Sequence, residues 1–136
     1  MARLLQPPDW PRPSGYSNGV MAEGRQVFIA GQVGWNPVTA RFASASLVDQ
    51  VTQALKNVLA VLAAAEGRPE HIVRMTWYLE NRDDYLAQLE EIGAAYRELM
   101  GRHFPAMSVL QIAGFVEPGA KVEIEATAVV PGRRSC

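Results

Sequence analysis

Cysteine is nearly absent from the chain: Cys136, the last residue, is the only one. One thiol cannot close an internal disulfide, which fits a reducing compartment. Nothing beside it would lower its pKa in a defined way, so Cys136 reads as incidental and not as a nucleophile. Histidine is scarce too. His71 and His103 both fall at the entrance of expected strands, where each reads as a boundary residue and not as a base. So few imidazoles and thiols argue against a transition-metal site. Also missing are CxxC, HExxH, GxGxxG, GxSxG and the phosphate-cradling P-loop. Their absence removes the usual signatures of zinc and dithiol chemistry, of nucleotide binding and of the hydrolase serine.

Neither sign of charge prevails. Lys and Arg number 13 against 14 Asp and Glu, a net charge of −1. Without a basic excess there is no footing for nucleic acid, which is held largely through its phosphates. Near neutrality also leaves little repulsion to oppose self-association. The apolar run from Val58 to Ala65 is too short to cross a membrane. The opening MARLLQPPDWPRPSGYSNG has no basic segment followed by a long apolar one, so no secretory signal is expected. These absences predict a cytoplasmic protein with no nucleic-acid partner and no membrane partner.

What is present suits one globular unit. The chain has 136 residues, 49% of them hydrophobic, the size and composition of a single domain spanning residues 1–136. Pro7, Pro8, Pro11 and Pro13 predict an extended arm over residues 1–15, and residues 131–136 read as a flexible tail. A short strand is expected over residues 16–22 and a turn at Gly24. Residues 25–33, RQVFIAGQV, read as a strand apolar at nearly every position, hence buried on both faces. A loop around Asn36-Pro37 follows. Ser46 then caps a helix in which Leu47, Val51, Ala54, Leu55, Val58 and Leu62 recur at helical spacing. This helix should run to Glu66, with Gly67 as its stop. Residues 71–80 alternate as a strand, with Val73, Met75, Trp77 and Leu79 on one face and Arg74, Thr76 and Tyr78 on the other. Asp83 or Asp84 caps a second helix with Leu86, Leu89, Ile92, Tyr96, Leu99 and Met100 on one side, ended by Gly101. Strands over residues 106–113 and 121–130 close the chain around the turn Glu117-Pro118-Gly119.

The order is therefore ββαβαββ, an α+β arrangement with two helices covering one face of a mixed sheet. The opposite face carries Phe28, Ile72, Tyr78 and, in one register, Met107. An open apolar face on a small domain marks an interface, and self-association is its natural solution.

Polar side chains on that sheet supply the chemistry. Glu123 and Glu125 share one face of the last strand; each is a candidate base, or a solvated or salt-bridged carboxylate. Arg74 either binds an anionic ligand or pairs with Glu123 or Glu125. Trp77 and Tyr78 read as core and interface residues, and Trp35 as a loop anchor with a rim contact as the alternative.

Several segments taken together resemble the RidA/YjgF (reactive intermediate deaminase) family. They are Tyr16-Ser17-Asn18-Gly19; Val27-Phe28-Ile29-Ala30-Gly31-Gln32-Val33 with Asn36-Pro37; Gln50, Ala54-Leu55 and Asn57-Val58 in the first helix; His71-Ile72-Val73-Arg74-Met75-Thr76; Phe104-Pro105-Ala106; and Pro118-Gly119-Ala120-Lys121-Val122-Glu123-Ile124-Glu125-Ala126. Each is weak alone, but their order and spacing run from Gly15 to Val130. The resemblance implies a chorismate-mutase-like fold and a homotrimer with a small-molecule pocket at each subunit interface. It implies hydrolysis of enamines and imines to the keto acid and ammonia, with no metal and no cofactor.

Carried over by position, the family's water-holding Glu matches Glu123 and its N-terminal pocket Tyr matches Tyr16. The expected substrate-binding set is Tyr16, Ala30, Gly31, Arg74 and Met107. Two of these depart from the family pattern. Where members have Pro-Ala-Arg, this chain has Pro105-Ala106-Met107, and Ala30 stands where a serine or threonine is common. Losing a charged hydrogen bond of roughly 1.5–3 kcal/mol would weaken carboxylate binding by one to two powers of ten. Met107 therefore marks an altered substrate: either a less anionic ligand, or one held by another cation, Arg74 or Arg102. The expectation is an enamine/imine deaminase-like hydrolase of altered specificity. A non-catalytic small-molecule binding or sensing trimer is the alternative, and a ribonuclease is disfavoured by charge.

Overall fold

The computed structural model describes residues 2–132; Cys136 and most of the expected tail lie outside them. Nine elements of regular structure follow in order: β1 (Ala2–Leu5), β2 (Gly19–Ala22), β3 (Arg25–Val33), α1 (Leu47–Ala64), β4 (Ile72–Leu79), α2 (Arg82–Ala87), α3 (Leu89–Met100), β5 (Ala106–Gln111) and β6 (Val122–Val130). A single 3-10 turn, Pro69–His71, leads into β4. The main sheet runs β3-β6-β4-β5; β4 and β5 are parallel and the other pairs antiparallel. The helices α1 and α3 cover one of its faces, as the α+β reading expects.

The strictest sequence pattern makes the most regular strand. Along β6, Val122, Ile124, Ala126, Ala128 and Val130 are buried and the residues between them are half-buried. Val51, Leu55, Val58 and Leu62 of α1 and Ile92, Tyr96 and Met100 of α3 pack against that face with Met75, Trp77 and Leu79 of β4. Ser46 caps α1 as expected, its hydroxyl accepting from the Asp49 N–H at 3.3 Å. Two amides on the buried face of α1 anchor loops. Gln50 donates to Ser44 O and Gly119 O at 3.0 Å each and accepts from the Lys121 N–H at 2.8 Å. Asn57 donates to Val33 O at 3.1 Å and Trp35 O at 2.9 Å, which fixes the exit of β3. Satisfying backbone groups this way is what makes buried amides tolerable.

Several local expectations are corrected. Residues 1–15 are not all arm: β1 pairs with β2 in a separate antiparallel ribbon, Ala2 opposite Ala22 and Leu5 opposite Gly19. The prolines fall after β1, in the connection, and do not obstruct it. Tyr16 and Ser17 precede β2 instead of belonging to it. β3 is an edge strand with Phe28 73% exposed, so it is not buried on both faces in the single chain. α1 stops at Ala64 because its apolar stripe ends at Leu62. Glu66, at φ 60°, makes the left-handed turn assigned to Gly67, whose N–H returns to Leu62 O at 3.0 Å.

The second helix is two. Asn81, not Asp83 or Asp84, caps α2 by accepting from the Asp84 N–H at 3.0 Å, and the chain breaks at Gln88 before α3. Leu86 and Leu89 are exposed, so no core contact demands a continuous helix there. Ile72 belongs to the core and not to the open face, because a register shift between Ile72 and Arg74 turns it over. Met107 pairs in register with Met75 and shares its helix-covered face.

Candidate functional site

The expected site residues fall into three neighbourhoods. The first lies where β3 runs beside β6. The β3–β6 register slips between Ile29 and Gln32, placing Ala30 and Gly31 in a bulge. The Glu123 carboxylate fills the space that a side chain at position 31 would need, so only glycine leaves it there. Ala30 is exposed, and its carbonyl accepts from the Gln32 side chain at 3.1 Å. Burial pushes the Glu123 carboxyl above the ordinary value of 4.5, and the nearby Glu125 and Glu117 push it further. Among the described residues Glu123 has no hydrogen bond or ion pair. Glu125 is engaged: the Tyr78 hydroxyl donates to its Oε1 at 2.6 Å, which holds the phenol proton and raises the Tyr78 pKa. Two carboxylates two residues apart thus differ, one free to exchange protons and one occupied.

The second neighbourhood is a shallow hollow of about 220 Å³ on the open sheet face, with Arg74 beside Phe28, Thr76, Glu125 and Thr127. Arg74 forms no ion pair with Glu123 or Glu125; the ion pairs among the described residues are Arg68–Glu70 and Arg82–Asp83.

The third is a cleft of about 620 Å³ between α3 and β5, and it contains Tyr16 and Met107. Ser17 holds Tyr16 there. Its N–H donates to Pro105 O at 3.0 Å and its hydroxyl to Phe104 O at 2.5 Å. The walls are aromatic. Tyr96 stacks on Phe104 with centroids 5.7 Å apart, while Trp77 meets Tyr96 at 6.3 Å and Tyr85 edge-on at 6.4 Å. Burial raises the pKa of both Tyr85 and Tyr96, so both stay neutral. The Tyr96 hydroxyl donates to His103 O at 2.6 Å. The imidazoles are structural: His103 Nε2 meets Ile72 O at 2.6 Å, and His71 Nδ1 accepts from the Arg68 N–H at 2.9 Å.

Tyr16 and Met107 are therefore brought together, as are Glu123 and Gly31, but the two pairs are not. Met107 shares the face of Met75, whereas Glu123 lies opposite Tyr78 on the other face. Neither Arg74 nor Arg102 lines the cleft; Arg97 does. Sequence reading missed Arg97, Tyr85, Tyr96 and Phe104 as cleft residues, because an aromatic stripe has the same period whether it faces core or cavity. Arg97 had a legible signal. The positions three and four residues away, Gly93, Ala94, Met100 and Gly101, offer it no carboxylate.

Among the described residues no group of His, Cys, Asp and Glu is arranged to hold a metal ion, and no helix is long and apolar enough to cross a membrane. Known proteins resemble the whole arrangement. The model of the family described as endoribonuclease L-PSP matches residues 11–130. A human protein named 2-iminobutanoate/2-iminopropanoate deaminase is 30% identical over 114 residues, 84% of this chain and 79% of its own length. The crystal structure of YyfB from Yersinia pestis, described as a protein of unknown function of the conserved Rid protein family, aligns with a TM-score of 0.83. It is 31% identical and covers 95% of this chain and 98% of its own. The E. coli YjgF gene product aligns with a TM-score of 0.66 at 31% identity, over 84% of this chain and 87% of its own.

Proposed function

The chain belongs to the RidA/YjgF family, and from that premise we propose that it hydrolyses reactive imines and enamines to carbonyl compounds and ammonia. The observation that carries this reading is Glu123, a half-buried, unpartnered carboxyl whose pKa is raised by burial and neighbouring charge. Ionised, it takes a proton from water as the water oxygen bonds to the carbon of a protonated imine. The C=N electron pair moves onto nitrogen, giving a tetrahedral amino alcohol. Glu123 returns the proton to that nitrogen and then takes the hydroxyl proton as the C–N bond breaks, so the carbonyl forms as ammonia leaves and carries that last proton away as ammonium. A carboxyl with a raised pKa suits both steps better than an ordinary one. No metal and no cofactor enters this scheme.

The working site is proposed to form between subunits of a homotrimer. Glu123, Ala30 and Gly31 of one copy would face Tyr16 and Met107 of the next, since one chain holds these groups on opposite faces of its sheet. The exposed Phe28 on the uncovered face supports such contact. Scattering-detected size exclusion tests it: three times the chain mass supports the reading, and a monomer at micromolar concentration removes it.

The reaction test generates imino acids in place with an amino-acid oxidase and follows their decay. Acceleration by the protein and not by Glu123→Ala supports the deaminase. No acceleration of any imine, with ligand binding retained, supports the alternative of a non-catalytic sensing trimer, which Met107 favours. The family description also names an endoribonuclease. A net charge of −1 gives little grip on phosphates, so no RNA binding is expected even at low salt. A cytoplasmic location without membrane or nucleic-acid partners completes the proposal.

A further inference from the structure

The cleft that holds Met107 has a cation of its own. Arg97 projects from α3 at its margin and takes part in neither ion pair found among the described residues. Its own helix supplies no carboxylate one turn away. One turn back sits Gly93, also part of the cleft wall, where an added Cβ would lie 3.2 Å from Arg97 Nη1. The guanidinium therefore folds back along α3 over the bare backbone of Gly93. A glycine inside a helix is unfavourable by about 1 kcal/mol relative to alanine, and here it clears the place that the guanidinium occupies.

The remainder of the cleft is large and chiefly aromatic, with Ser14 and Tyr16 among its polar members. Trp77, Tyr85, Phe104 and Met107 form its walls, and about 620 Å³ lies within the roughly 300–1,000 Å³ that encloses a drug-sized ligand. A single unpaired guanidinium at the edge of an aromatic chamber suits an amphipathic anion. The flat ring enters among the aromatic walls, and a carboxylate takes the two parallel N–H bonds that Arg offers.

We propose that this cleft binds an aromatic monocarboxylate, with its ring among Trp77, Tyr85, Phe104 and Met107 and its carboxylate on Arg97. Binding stands independently of the deaminase reading. Only the fate of the ligand rests on that reading, under which the substrate is the 2-imino acid of an aromatic amino acid.

The test is calorimetric titration of the full chain with phenylpyruvate, with pyruvate, which lacks the ring, and with phenylacetone, which lacks the carboxylate. Phenylpyruvate binds at least tenfold more tightly than either. Arg97→Gln, an exposed change that leaves the fold intact, lowers phenylpyruvate affinity ten- to a hundredfold and leaves phenylacetone unchanged. Gly93→Ala moves the guanidinium and also lowers phenylpyruvate affinity, while the thermal midpoint rises, so weakened folding cannot explain the loss. Phenylpyruvate binding that ignores Arg97→Gln, or pyruvate binding just as tightly, overturns the proposal, as does no phenylpyruvate binding at millimolar concentration. Glu123→Ala separates the two readings. If it binds phenylpyruvate normally and the native chain hydrolyses no imine of any kind, the ligand site stands and the deaminase falls. If the native chain hydrolyses imines but phenylpyruvate binding ignores Arg97, the reverse holds.

Discussion

The β3–β6 margin and the α3–β5 cleft occupy opposite faces of one sheet and are built from different materials. The margin is backbone and carboxylate: a bulge, a glycine and Glu123. The cleft is side chain: five aromatic residues, Met107 and one arginine. At the margin a single atom matters, because the carboxylate fills the room left by a missing Cβ. In the cleft many atoms share a broad apolar surface, where one exchange alters preference more than it abolishes binding. Under the proposed function the contrast makes reaction and selection separable, and variants should respect the division.

The largest effect belongs to the margin. Glu123→Ala should slow imine hydrolysis by about 10²–10⁴-fold with ligand affinity nearly unchanged; equal losses in rate and affinity would erase the distinction. Gly31→Ala should come next. Its methyl group displaces the carboxylate, and misplacement by an ångström costs about a hundredfold in rate. Single-turnover kinetics would register this while phenylpyruvate titration stays level. In the cleft, Met107→Arg restores a cation beside the rings and should raise the preference for small 2-imino acids over aromatic ones by about tenfold. Competition between two imines in one vessel reads that ratio directly.

The smallest effect is on pH. Glu123 must be ionised to accept a proton, so activity falls on the acid side at a pH above the ordinary carboxylate value of 4.5. Glu125→Gln removes a like charge and should move that limb to lower pH. Stability has the matching sign. The folded chain holds the Glu123 proton more tightly than the unfolded chain does, so stability declines as pH rises from the ordinary value through the raised one. Glu123→Gln should remove this decline, seen as thermal midpoints that no longer differ across the window.

Much of the fold was legible because its patterns are strict. The alternation along β6 and the stripe of Val51, Leu55, Val58 and Leu62 each have one sensible partner, the same core. Ile72 escaped because strand period is two, and one extra residue before Arg74 reverses the facing of everything behind it. β1 escaped because proline density was averaged over fifteen positions while the strand occupies Ala2–Leu5. Of the candidate site, Glu123 and Tyr16 enter through resemblance. The cleft was not legible, since Tyr96 and Trp77 serve core and cavity wall at once. Arg97 is marked in the sequence only by the lack of a carboxylate one turn away; the bare Gly93 that clears its place shows only in the structure.

The sheet order β3-β6-β4-β5 also governs how the protein comes into being. The strand that both β3 and β4 require is the one that leaves the ribosome after them. Until residue 130 is made, β3 has no partner in the sheet, and β4 can pair only with β5. The nascent chain must carry these open edges through most of its synthesis, which is when chaperones would find it. A premature stop before β6 would accordingly yield unjoined halves for degradation instead of a smaller working protein.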